Sequence, residues 1–206
     1  MITLIKSPFL EYKMTILRNK KTSNSLFRQT MNEASYLIAA EVLKYLQYKK
    51  ISVQTPLVKT SGKDLAQQVI LVPILRAGLG LLEGFVKLLP DAEKGHIGLY
   101  RDEQTYEPVE YLFKLPKTRN KKILVLDPML ATGNSSIAAI NLIKNKGVNT
   151  KDILLVSLLS APEGIKNLQK SHKSLHIFTC KIDAKLNKKK FIVPGLGDAG
   201  DRYMGT

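Results

Sequence analysis

The sequence predicts an open α/β domain, a mostly parallel sheet with helices on both faces. Three observations carry that expectation. Apolar runs of strand length, "QVILVPIL", "ILVL" and "ILLVSLL", recur along the chain. Stretches with apolar residues at helical spacing lie between them. Residues 123–159 read as strand, helix, strand, which implies a parallel, right-handed crossover. Ligands of such sheets bind beyond the strand C-termini, so the loops after these runs are where chemistry is expected.

In chain order, "NSLFRQTMNEASYLIAAEVLKYLQ" places Leu26, Met31, Ala34, Leu37, Ile38, Val42 and Leu46 on one helical face. "TPLVKTSGKDL" reads as a short extended excursion. "QVILVPIL" is a buried strand stopped by "RAGLG", after which "LLEGFVKLL" is helical. "HIGLYR" and "VEYLFKL" are strands around the polar loop "DEQTYEP". Residues 123–126 form the next strand and 135–146 a helix, with Gly147 suited to its C-terminal end. A strand at 153–159, a helix begun by Pro162 and a strand at 175–180 follow. The tail "FIVPGLGDAGDRYMGT" is Gly-rich and expected to be irregular.

Composition narrows the class. A chain of 206 residues suits one domain, 1–206, with a good core. Hydrophobic content of 44% with 24% charged residues excludes disorder. The lone Cys180 excludes an internal disulfide and fits a reducing compartment; its apolar run marks it as a small core residue. "MITLIKSPFLEYK" lacks the apolar region of a signal peptide, and Arg76 and Glu83 break the most apolar stretch, so the expectation is cytoplasmic with no membrane span. A net charge of +15 and a pI near 9.8 invite a nucleic-acid reading. Against it, lysine supplies all but six of the 32 basic residues and Trp is absent. The same field would steer a polyphosphorylated small molecule, so charge alone does not separate the two.

The densest chemical signal is "LVLDPMLATGNSS". Thr132, Gly133, Asn134, Ser135 and Ser136 lead into a helix N-terminus, where free N–H groups favour an anion, and the Thr132 and Ser135 hydroxyls add donors. Asp127 stands too far along the loop to share that phosphate, and a carboxylate there suits a pair of sugar hydroxyls. Together they read as a ribose 5-phosphate site. The competing reading has Asp127 capping a turn and Ser135 capping the helix. The spacing is neither a Walker loop nor a dinucleotide fingerprint. If the loop needs left-handed backbone at Asn134, asparagine is among the few residues that tolerate it.

Arg76 ends an apolar strand, where a guanidinium is costly unless it meets an anion or a structural carboxylate. Gly78 and Gly80 would let backbone close on that anion. Arg101 opens a polar loop, and two such arginines suit a diphosphate. "PGLGDAGDRYMGT" holds four glycines and two aspartates, with Ile192, Val193 and Leu196 to anchor it, so its backbone is expected to read a ligand edge. His96, His172 and His176 show no metal-ligand spacing, and no protein metal site is expected.

"VPILRAGLGLLEG", "GLYRDEQTYEPVEY", "LDPMLATGNSS" with "SAPEGI", and "IVPGLGDAGDRYMGT" together resemble the uracil phosphoribosyltransferases, nearly end to end and in order. The early "SPFLEYKMTILR" and the "TPL" stretch extend the likeness. The resemblance implies the type I phosphoribosyltransferase fold, with a small hood built from the N-terminal region and the C-terminal tail. It implies transfer of the 5-phosphoribosyl group from 5-phosphoribosyl 1-diphosphate (PRPP) to uracil, giving UMP and diphosphate in pyrimidine salvage. Asp127, Pro128, Met129, Leu130, Ala131, Thr132, Gly133, Asn134 and Ser135 would cradle ribose and its phosphate. Arg76 and Arg101 would hold the diphosphate, and the 101–108 loop would close over it. Ile192, Gly197, Asp198 and Ala199 would read uracil, and Asp198 would also touch PRPP; Arg76, Arg101 and Asp198 would be the catalytic set. The implied partners are Mg²⁺ carried mainly by PRPP, GTP as an activator in some relatives, and further copies of the chain in a dimer or tetramer. Two alternatives stay open here: an RNA-binding regulator on this fold, and a transferase for another base. The chain departs from the family pattern at Asn134 for a usual glycine, Lys190 and Phe191 for Gly-Tyr, Met204 for Phe, and Tyr12 for His.

Overall fold

Alternating side chains of the central strands bury both faces of the sheet, and that sets the layering. The structure, a computed structural model, describes residues 1–101 and 108–206, with Arg101 as backbone only. The chain begins with β1 (Ile2–Leu4), α1 (Pro8–Arg18), α2 (Asn24–Leu43), β2 (Tyr48–Gln54), β3 (Lys59–Leu65), β4 (Gln68–Leu75) and α3 (Leu79–Leu88). It continues with β5 (Glu93–Lys94), β6 (His96–Arg101), β7 (Pro108–Lys114), β8 (Lys121–Leu126), β9 (Met129–Leu130) and α4 (Asn134–Lys144). Last come β10 (Ile153–Ser160), α5 (Pro162–Ser171), β11 (His176–Ile182), β12 (Lys185–Leu186), β13 (Ile192–Val193) and α6 (Ala199–Met204).

The main sheet runs β1-β11-β10-β8-β4-β6-β7, with β5 beside β4 and β9 beside β10. β7 is antiparallel to β6, and the other pairings are parallel. On one face Leu71, Leu124, Leu126 and Val156 pack with Leu17 of α1, Phe27 and Met31 of α2, and Phe85 of α3. On the other, Ile70, Val72, Ile123, Val125 and Leu155 pack with Ile140 and Ile143 of α4 and Leu168 of α5. The expected open α/β sheet with helices on both faces is what forms. Strand order reverses between β4, which feeds β6, and β8, which feeds β10, so a crevice opens at their C-terminal ends.

Local differences from the sequence reading have physical causes. The stretch 55–65 is not a lone extended excursion but the turn and second strand of an antiparallel hairpin, β2–β3; both strands are mostly exposed, so no apolar alternation announces them. The tail is not irregular throughout, because β13 pairs with β12 and Asp198 caps α6, its side chain accepting from Asp201 N–H. β1 joins the edge of the main sheet, while α1 and α2 lie against α6: Arg202 donates to the carbonyls of Leu17, Leu196 and Asn19, and stacks over Phe27. Gly147 ends α4 at φ 81°, as expected. Cys180 is half-buried against the core, and burial pushes its thiol up to about 12. Among the described residues no helix is long and apolar enough to cross a membrane.

Candidate active site

The crevice beyond β4 and β8 is a cavity of about 470 Å³. Three segments wall most of it: the turn after β4, the loop after β8, and the C-terminal tail. Of the residues expected in the site, Arg76, Asp127, Met129, Ala131, Thr132, Gly133, Ser135, Ile192, Gly197, Asp198 and Ala199 come together there. Pro128, Leu130 and Asn134 are in the loop but not on the wall. The Pro128 carbonyl accepts from Leu158 and Leu159 N–H at 3.2 and 3.0 Å, Leu130 is fully buried, and the Asn134 side chain turns to α5. The Arg101 side chain and residues 102–107 lie outside the described residues, and so does the expected closure of that loop.

The loop after β8 is bolted down before it reaches the cavity. Asp127 N–H donates to Val156 O at 3.0 Å, and Ser157 Oγ donates to Asp127 O at 2.6 Å. Asp127 is buried, and its carboxylate accepts from Ser136 Oγ at 3.0 Å. Burial pushes the carboxyl up to about 6, against the pull of Ser136 and of the Met129 N–H. The left-handed residue of the loop is Gly133, at φ 85°, and not Asn134, which is the first residue of α4. The expectation of left-handed backbone at Asn134 is therefore wrong: the loop turns one residue earlier, where the glycine sits. Gly133 as N-cap brings no side chain, and the contact from Asn134 N–H to Thr132 Oγ1 is long at 3.4 Å, so the first turn of α4 offers weakly engaged N–H groups.

Across the cavity, Arg76 is half-exposed and its Nη2 donates to Asp201 Oδ1 at 3.2 Å. Gly78 and Gly80 are not on the cavity wall. A Cβ at Gly78 would stand 2.5 Å from Leu126 O and one at Gly80 2.8 Å from the Met31 side chain, so both make room for neighbouring elements. The base of the tail is tied to α1: Arg18 grips both Asp183 oxygens at 2.6 and 2.7 Å and donates to Gly195 O at 2.8 Å, while Gly195 N–H donates to Asp183. Burial works to raise the Asp183 pKa, but Arg18 and Gly195 outweigh it and hold the carboxyl below its ordinary value. Lys190 and Phe191 reach the cavity wall, and Lys190 is left-handed at φ 65°.

The sequence model of the family described as Uracil phosphoribosyltransferase matches residues 4–206. The chain belongs to the uracil phosphoribosyltransferase family. It is 48% identical over 205 residues to the uracil phosphoribosyltransferase of Streptococcus mutans, covering 98% of this chain and 97% of that relative. To the uracil phosphoribosyltransferase of Streptococcus pneumoniae it is 47% identical, covering 100% and 98%. Among solved structures, the AQ2163 protein from Aquifex aeolicus superposes with a TM-score of 0.92 at 35% identity, over 98% of this chain and 97% of that one. A hypoxanthine-guanine phosphoribosyltransferase from Bacillus anthracis, at 9% identity, shares the fold with a TM-score of 0.52 over 78% and 80% of the two chains.

Sequence reasoning missed several wall residues of this family member. Asp201 was legible only as the second acid of "GDAGD", with no sign that it faces Arg76. Ser136 stood in the quoted loop but was not assigned to Asp127. Tyr111 reaches the cavity from β7, a strand whose sequence carries no ligand signal. Lys190 was visible as a departure from glycine, and its φ supplies the physical reason that glycine suits the position.

Proposed function

We propose that this chain transfers the 5-phosphoribosyl group of PRPP to uracil, forming UMP and releasing diphosphate. The observation that carries the reading is that one cavity gathers the helix-opening loop 132–136, the cation Arg76 and the backbone of Gly197–Ala199, in a member of this family. In it, the N–H groups of Gly133 and Ser135 receive the 5-phosphate and Asp127 the ribose hydroxyls. Arg76, with Arg101, holds the diphosphate. The backbone around Ile192, Gly197 and Ala199 reads the uracil edge, and Asp198 joins the tail to PRPP while capping α6.

The bond from the anomeric carbon to the uracil ring nitrogen forms as the bond to the diphosphate oxygen breaks, and the ring proton is released. Positioning and charge stabilisation supply the catalysis, without a covalent intermediate. The described residues include no cluster of three His, Cys, Asp or Glu able to cage a metal; of the aspartates lining the cavity, Asp201 is paired with Arg76, which leaves Asp127 and Asp198. That donor set suits a Mg²⁺ held chiefly through the diphosphate. When bound it would neutralise the leaving group. A cytoplasmic homo-oligomer with GTP as activator completes the reading implied by the resemblance, and sedimentation together with assays plus and minus GTP test it.

The deciding experiment is nucleotide formation from PRPP with each free base in turn. Uracil is expected to be preferred strongly over cytosine, whose amino group and missing ring N–H leave buried backbone groups unpaired. Comparable efficiency with cytosine or hypoxanthine overturns the reading.

A further inference from the structure

Outside the cavity, on the far side of the phosphate loop, α5 reaches that loop with the side-chain amide of Asn167. Asn167 Nδ2 donates to Thr132 O and to Asn134 Oδ1, both at 3.0 Å. A primary amide nitrogen has two hydrogens, so both are used. The two acceptors flank Gly133, the residue at φ 85° that turns the loop into α4. One turn earlier on the same face of α5, Gly164 lies so close that a Cβ there would stand 2.3 Å from Ala131 O, and a Cβ at Gly133 would stand 2.9 Å from Gly164 O.

We infer that Asn167 is a positioning residue for the phosphate loop, acting with Asn134 as its partner. Asn167 does not itself line the cavity, whereas Thr132, Gly133 and Ser135 do. The direction of the loop N–H groups depends on the peptides on either side of Gly133, and Asn167 anchors the loop on both sides of that residue. With no side chain at Gly164, α5 and the loop backbone meet directly beside this amide. Asn134 thereby gains a role that its backbone does not supply: its side chain completes the clamp from α4. The inference rests on the proposed PRPP reading and names a residue that reading leaves out.

The test measures PRPP binding by calorimetry and steady-state kinetics for Asn167→Ala, Asn167→Asp, Asn134→Gly and the Asn167→Ala/Asn134→Gly pair. Asn167→Ala is expected to weaken PRPP binding about tenfold, with KM for uracil and thermal unfolding little changed. Asn167→Asp keeps the shape but loses the donor to Thr132 O, and is expected to fall at least as far. Asn134→Gly is expected to cost a smaller factor, and the pair less than the product of the two singles, because both remove the same bond. A folded Asn167→Ala that binds PRPP like the parent overturns the positioning role alone. A parent chain that binds no PRPP overturns the functional reading and the clamp with it. Equal losses for PRPP and uracil accompanied by a large fall in unfolding temperature would mark Asn167 as a structural tie and also overturn the role.

Discussion

Arg76 Nη2 stands 3.2 Å from Asp201 Oδ1, so the turn after β4 and the first turn of α6 meet through an ion pair at the wall of the cavity. Both side chains are about half exposed, at 53% and 51%. Exposed pairs of this kind are worth about 0–1 kcal/mol, little against the charge of a diphosphate. Asp201 therefore holds Arg76 in place without locking it.

Two substitutions separate these roles. Arg76→Ala is expected to lower kcat/KM for PRPP by about 2–4 kcal/mol of transition-state stabilisation. Asp201→Asn is expected to tighten PRPP by less than about fivefold, an effect that fades as salt rises. The measurement is kcat/KM for PRPP at low and high ionic strength. An Asp201→Asn loss as large as that of Arg76→Ala would mean that the carboxylate itself binds the substrate complex.

What the sequence made legible follows from burial and from distance along the chain. β4 was read with its correct ends, because a strand buried on both faces is a continuous apolar run with polar neighbours. The β2–β3 hairpin was not, because its exposed strands carry no such contrast. Asp127 and the 132–135 loop were legible because one short segment holds the whole anion signal. Arg76–Asp201 and Asn167–Asn134 were not, since 125 and 33 residues separate the partners and only the fold brings them together. Asn134 was misread for a related reason: local composition shows that a turn is needed there but not which residue makes it.

Lys190 sits at φ 65° and Asn120 at φ 59°, so two non-glycine residues share one backbone conformation. Asparagine adopts it at less cost than lysine, which predicts unequal responses to glycine. Lys190→Gly is expected to stabilise the chain by about 1 kcal/mol, or roughly 2–4 °C in Tm. Asn120→Gly is expected to be near neutral. Thermal unfolding of both variants checks this, and equal shifts would refute the strain at Lys190.

The Arg18–Asp183–Gly195 tie predicts a pH-dependent loss on Asp183→Asn. Asp183 is 6% exposed and its partner cation stays behind when the charge is removed. The expected cost at neutral pH is about 2–4 kcal/mol. Because the folded pKa lies below 3.8, the contribution is fully present above that value and is lost as pH falls through the folded one. Denaturant midpoints should therefore differ between parent and variant at pH 7 and converge in acid. A gap of the same size at both ends would assign the loss to packing alone.

Asp127 predicts the opposite sign. Its carboxyl is pushed up to about 6 from 3.8 because burial penalises the ionised form more than Ser136 and the Met129 N–H support it. Below pH 3.8 the folded and unfolded chains both hold the proton and no penalty exists. As pH rises from 3.8 to 6 the unfolded chain ionises first, and stability falls; above 6 the penalty is constant at roughly 3 kcal/mol. Asp127→Asn keeps an oxygen to accept from Ser136 and removes the charge, so it is expected to unfold several degrees higher than the parent at pH 7.5. Near pH 4 the gain should nearly vanish. The same variant is expected to lose PRPP affinity, by about 1–3 kcal/mol, since an amide offers ribose hydroxyls fewer acceptor sites than a carboxylate. Thermal melts across this pH range, paired with PRPP titration, read both effects. A variant that is no more stable at pH 7.5 than the parent would show that the buried carboxylate is already satisfied without a ligand, and its place beside the phosphate loop would then be structural rather than held ready for a sugar.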